Sequence, residues 1–111
     1  RFDERNTYDW CHVISNAMIV TAALLWGSGN YSRSICMAVE TGFDTDCNGA
    51  TVGSVLGMRN GADCIGQQWR KPLNGMLETS IFGVGKVSIR EMAVRTMAHM
   101  PWRGEESHEA E

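Results

Sequence analysis

Glycine recurs every four residues at Gly49, Gly53, Gly57 and Gly61, and this spacing restricts the possible folds more than any other feature of the chain. Residues four apart on a helix lie on one face. Each glycine costs a helix about 1 kcal/mol relative to alanine, so a stripe of four implies that the bare surface is used. Either a second helix packs against it or a ligand approaches closely there. The stripe starts just after the acidic stretch GFDTDCNG at 42–49. A helix is therefore expected from that motif to about Arg59.

The remaining periodicity is also helical. Val13, Ala17, Val20 and Leu24, with Ile14, Met18 and Leu25, recur at steps of three and four, which predicts a helix from about Asp9 to Trp26. Gly27, Ser28, Gly29 and Asn30 end it. A second helix follows over 32–41, with Ile35, Ala38 and Val39 inward and Gly42 as its stop. Residues 60–75 read as loop with a short turn near Ile65–Trp69. Segments 77–82 and 85–89 read as a short hairpin through Gly83. Ser88 and Glu91 form an S-x-x-E capping box for a last helix to Met100, with Ile89, Met92, Ala93, Thr96, Met97 and Met100 on its inner side. Pro101 closes that helix. The expected architecture is an all-α helical array over 1–100, with a polar start at 1–8 and a polar acidic tail at 101–111. Seven methionines suit a plastic helical core.

Composition removes several classes of function. With 111 residues, a net charge of -3 and 21% charged residues, the chain has no broad basic field for nucleic acid or anionic membranes. The most apolar run, 13–26, is too short and too polar to span a bilayer. Cysteines stand at 11, 36, 47 and 64 with no CxxC pair, which fits free thiols in a reducing, cytoplasmic setting better than a zinc finger or a disulfide scaffold.

Asp44 and Asp46 stand two apart and repel each other unless a positive charge lies between them. DTDCNG matches the opening of a calcium-binding EF-hand loop, but the bidentate Glu required at the twelfth position is Val55, and the ninth is Val52. A phosphatase-type Asp-x-Asp would follow a buried strand, whereas SICMAVETGF has helical spacing and carries Glu40. Helix capping alone could use one of these acids, but two of them, with Glu40 upstream and a glycine face downstream, exceed what a cap requires.

A fourth reading comes from resemblance. The run GFDTDCNGATVGSVLG at 42–57, the downstream tryptophan in IGQQWRKPL and the final helix resemble the C-terminal part of the ADP-ribosylglycohydrolase family, of the dinitrogenase reductase-activating glycohydrolase type. That family writes G-x-D-T-D, a small or polar residue, and then a glycine- and alanine-rich helix. The resemblance implies an all-α protein with two Mg2+ or Mn2+ ions in a cleft. It implies hydrolysis of the bond between ADP-ribose and a modified protein or small conjugate. Asp44 and Asp46 would be metal ligands, with Thr45 pointing elsewhere. The next position is usually threonine in the family; here it is Cys47, a poor partner for a hard cation. Gly42, Phe43 and Asn16 are the expected substrate contacts, and His12 shares the helix face of Asn16.

The family's acidic T-D-D block and GDALG-like opening, which belong near its N-terminus, do not occur in this sequence. The chain is thus expected to be a C-terminal portion with half a metal site and no catalytic residue of its own. It is expected to bind cation weakly, to be inactive alone, and to form a homo-oligomer through helix 13–26 or the glycine helix. The rival reading is a non-catalytic helical module for binding or oligomerisation. Glu40 is the best remaining acid, as a partner of the attacking water or as an exposed helix face. Trp10, Trp26, Trp69 and Trp102 read as packing anchors, His99 and His108 as solvated, and Thr51 and Ser54 as back-bonded within their helix.

Overall fold

A computed structural model of the chain describes residues 9–100. The polar start, the acidic tail, Pro101, Trp102 and His108 lie outside the described residues. The structure divides into two compact units, residues 1–66 and 67–111. Its described residues are mostly helical, with one two-stranded hairpin.

The first unit is a three-helix array: α1 (Val13–Trp26), α2 (Tyr31–Glu40) and α3 (Thr45–Asn60), followed by a 3-10 turn at Ala62–Cys64. Caps set where the helices begin. The His12 ring nitrogen Nδ1 accepts from the Ile14 N–H at 3.2 Å, so α1 starts at Val13 rather than at Asp9. Asn30 Oδ1 accepts from the Arg33 N–H at 2.9 Å and starts α2 one residue earlier than expected. Between them the chain reverses through Ser28 and Gly29, both with positive φ. Gly27 marks the tightest approach, because a Cβ there would lie 1.7 Å from Ser34 Oγ and 2.6 Å from the Ala23 carbonyl oxygen.

The glycine stripe is covered by α2. A Cβ at Gly49 would sit 3.1 Å from Val39, and one at Gly53 would sit 3.2 Å from the Tyr31 hydroxyl. Gly57 faces Ile65, and Gly61, at φ +80, ends the helix. Helix–helix packing, not an open ligand groove, is therefore the use of Gly49 and Gly53. The core between the helices is small: Ile19, Ala23, Ala38, Val52 and Leu56, with Val20, Leu24, Tyr31, Ile35, Met37 and Phe43 packed around it.

The buried face of α1 differs from the expected one. Ser15, Ile19 and Ala23 point inward, whereas Val13, Ile14, Met18, Leu25 and Trp26 are exposed. The helix carries no charged side chain and is apolar nearly all round, so periodicity could not choose its inner face. Small side chains took it, since they allow α1 and α2 to approach to glycine distance. Val39, expected inward, is likewise exposed. Trp10 and Trp26 are exposed rather than anchoring, while Trp69 is half-buried.

The second unit contains α4 (Gln67–Arg70), a 3-10 turn at Lys71–Leu73, β1 (Met76–Glu78), β2 (Lys86–Ser88) and α5 (Ile89–Met97). The two strands pair antiparallel, with Leu77 opposite Val87. The hairpin is shorter than expected, because the Thr79 N–H closes onto the Gly85 carbonyl (2.9 Å) and Gly83 and Gly85 turn with positive φ. The capping box is half formed. Ser88 Oγ accepts from the Glu91 N–H at 3.0 Å, but the Glu91 carboxylate pairs with Arg95 one turn on. No residue of α5 is buried; Met92 is half-buried, and Ile89 and Met97, both expected inward, are exposed.

Candidate metal centre

The site is built where α2 gives way to α3. Gly42 (φ +82) and Phe43 (φ +61) both take positive φ, a costly conformation for a bulky side chain. Asp44 then sits at φ -83, ψ 74, the centre of an inverse γ-turn closed by the Thr45 N–H on the Phe43 carbonyl at 3.1 Å. The geometry falls short of a regular cap: Asp44 makes no side-chain capping hydrogen bond, although the nearby Cys47 N–H adds to the stabilisation of its charge. Capping alone therefore does not account for Asp44.

The carboxylate turns to α1 instead. Asn16 Nδ2 donates to Asp44 Oδ2 at 2.8 Å, and Asn48 Nδ2 donates to Asn16 Oδ1 at 3.3 Å. Asp44 is 6% exposed and Asn48 1%. Burial alone would raise the Asp44 pKa, but the hydrogen bond from Asn16 outweighs it and holds the carboxyl below its ordinary 3.8. The side chain is ionised throughout the neutral range.

Asp46 and Cys47 occupy the first turn of α3 and are exposed. Among the described residues, Asp44, Asp46 and Cys47 form a group whose ligand atoms lie within 4.8 Å of one another. The two carboxylates suit a hard, oxygen-seeking cation. Cys47, expected beside them, suits it less well: sulfur is a soft donor, and its hydrogen bond to Asp44, reinforced by the charge of that carboxylate, pushes the thiol pKa above its ordinary 9.0. The donor set thus fits a hard cation better through the two acids than through the thiol.

The other expected residues fall into place unevenly. Gly42 and Phe43 shape the bend, and Phe43 is half-buried against the core. It also lines an apolar cavity of about 260 Å³ together with Ser15, Met18, Ile19, Ala22 and Thr41, where the buried Ser15 hydroxyl has no hydrogen-bond partner. His12 caps α1. Glu40, at the end of α2, is exposed. Thr51 and Ser54 donate to the Cys47 and Ala50 carbonyls, each at 2.8 Å, as their positions in the helix predicted. Sequence reasoning missed Asn48. Its signal was the spacing of four from Asp44, which puts both on one side of the same turn.

The comparisons with known proteins bear on this geometry. The family model described as ADP-ribosylglycohydrolase matches residues 2–105. The chain belongs to the ADP-ribosylglycohydrolase family. Searches of curated proteins and of solved structures returned no match. The match spans the acidic bend and every helix and strand from α1 to α5, so the DTD stretch stands within an ADP-ribosylglycohydrolase sequence and not within a calcium-binding or phosphatase one. Among the described residues no helix is long and apolar enough to cross a membrane.

Proposed function

We propose that this chain contributes Asp44 and Asp46 to a Mg2+ or Mn2+ site of an ADP-ribosylglycohydrolase that releases ADP-ribose from modified proteins or small conjugates. The observation that carries this reading is the carboxylate pair at the start of α3, with Asp44 buried, ionised and held by Asn16. A bound divalent cation at such a site supplies orientation of sugar hydroxyls and Lewis-acid activation. The chain's own part is to fix one acid and leave the other adaptable. Phe43 and the apolar cavity beside it offer a wall against which substrate can lie, and Gly42 keeps the bend open, since nothing lies within 4 Å of where its Cβ would be. Four free, exposed thiols fit a reducing, cytoplasmic setting.

Two carboxylates are too few for a binuclear centre, so the 111-residue chain alone is expected to bind cation weakly and to lack hydrolase activity. The test is Mn2+ titration by calorimetry, with Asp44→Ala and Asp46→Ala as controls, beside an assay for release of ADP-ribose from ADP-ribosylated arginine and serine substrates. Weak binding lost in both variants supports the reading; unchanged affinity in both, or robust turnover by the chain alone, defeats it.

One observation favours a second reading. The exposed apolar side of α1 suits a helical module that assembles with itself, with the acidic bend serving structure only. Cation binding separates the two.

A further inference from the structure

We infer that Asn48 is a positioning residue for the Asp44 carboxylate and acts through Asn16. The inference rests on the reading of Asp44 as a cation ligand. A carboxylate only accepts hydrogen bonds, so Asn16 must present its Nδ2 amide, not its oxygen, to Asp44 Oδ2 at 2.8 Å. The oxygen of Asn16 is thereby turned the other way, where it accepts from Asn48 Nδ2 at 3.3 Å. One fixed charge dictates the orientation of two amides, and each amide in turn holds the group before it.

The relay closes on itself. The Asn48 N–H donates to the Asp44 carbonyl at 3.0 Å, so its first and last members stand on one rigid helical turn while Asn16 reaches in from α1. Asn48 is 1% exposed, so water competes poorly for its amide. Flipping Asn16 would set its oxygen against a carboxylate and two amide donors against each other, so the network has a single low-energy arrangement. Its effect is to pin Oδ2 of Asp44, beside the contacts that Cys47 makes to the same carboxylate. Asp46, in the same first turn of α3, is exposed and takes no part in this relay. Of the two acids, Asp44 is preset and Asp46 adapts. Asn16 holds Asp44 with one N–H of its amide, and because an amide carries a second N–H this role does not preclude a contact to substrate.

The test uses the full 111-residue chain and Mn2+ alone as the probe. Losing the amide that orients a ligand costs about 10- to 100-fold in metal affinity, so Asn16→Ala is expected to weaken Mn2+ binding by that factor, and Asn48→Ala by about tenfold, the low end of the same range. Asn48→Leu, which keeps the side-chain volume without the donor, should match Asn48→Ala if packing is not the cause. Because Asn48 works through Asn16, adding Asn48→Ala to Asn16→Ala should cost no more than about twofold further, the ordinary scatter of additivity. A full, additive loss in the double variant overturns the relay, as does unchanged affinity in Asn48→Leu.

A second measurement needs neither a variant nor metal. In the 15N-labelled chain, the side-chain amides of Asn16 and Asn48 should exchange slowly with water, and Asp44→Ala should release the Asn16 amide. Rapid exchange of the Asn48 amide in the unmodified chain overturns the relay and leaves the cation reading intact. Mn2+ affinity unaffected by Asp44→Ala, with both amides still protected, overturns the cation reading and with it the role assigned to Asn48.

Discussion

Asp44 is where burial and charge oppose each other, and the hydrogen bond from Asn16 decides the balance. A carboxyl whose pKa is lowered by folding contributes stability that is present above its ordinary value and is lost as the pH falls through the folded one. The gap in melting temperature between the native chain and Asp44→Asn should therefore be full at pH 7 and shrink as the pH drops below 3.8. Circular dichroism melts at pH 7 and pH 3 measure it; a gap that stays constant would count against the Asn16 bond as its source. The same carboxylate acts on its neighbour. Cys47 is exposed, yet its thiol is held protonated by Asp44, and only thiolate reacts. At pH 8, iodoacetamide should label Cys47 faster in Asp44→Asn than in the native chain. Peptide mass spectrometry reads both rates. The acids of this site were legible in the sequence because DTD is a compact motif, whereas Asn48 was not: a polar residue inside a glycine-rich helix looks like surface until its partner across the core is seen.

The helices themselves were legible, since three- and four-residue spacing sets them and caps such as Asn30 and Ser88 fix their starts within a residue or two. Which face each helix buries was not. On α1 the apolar residues run nearly all round, and the choice fell to Ser15, Ile19 and Ala23 because α2 had to come close. Nor did the glycine spacing show which glycine matters most, and substitutions to alanine rank them. At Gly27 a Cβ would collide with Ser34 Oγ and with the Ala23 carbonyl, so Gly27→Ala should lose about 1–3 kcal/mol by overpacking. Adding Ser34→Ala should recover part of the loss, because that hydroxyl is buried and unpartnered. At Gly57 a Cβ would meet only Ile65 at an ordinary 3.8 Å, and Gly57→Ala should gain up to about 1 kcal/mol from helix propensity. Gly49→Ala should fall between them, its propensity gain offset by Val39 at 3.1 Å. Urea unfolding of the three variants gives the order, and a stabilising Gly27→Ala would show that α1 and α2 do not approach as described.

At the scale of the first unit, the small core and the large exposed side of α1 belong together. Helices that meet through glycine, alanine and serine leave little room between them for large side chains, so Ile14, Met18, Leu25 and Trp26 are turned outward. Ile14, Met18, Thr21 and Leu25 follow one another at steps of four, three and four, the spacing of a helix–helix seam, and they line one shallow apolar groove with Trp26. No charge on α1 interrupts it. A contiguous apolar patch of this kind drives association, and a second α1 offers a matching seam in a two-fold arrangement, where each copy supplies the same surface. The chain should therefore self-associate in a concentration-dependent way. Met18→Glu and Leu25→Glu place carboxylates in the middle and at the end of the seam without touching Ile19 or Ala23, so each should shift the equilibrium toward monomer while helical content stays unchanged. Sedimentation velocity with circular dichroism on the same samples distinguishes the outcomes. A wild-type chain that remains monomeric at every concentration would remove α1 as an assembly surface. Association that persists in both Glu variants would move it to another face of the molecule.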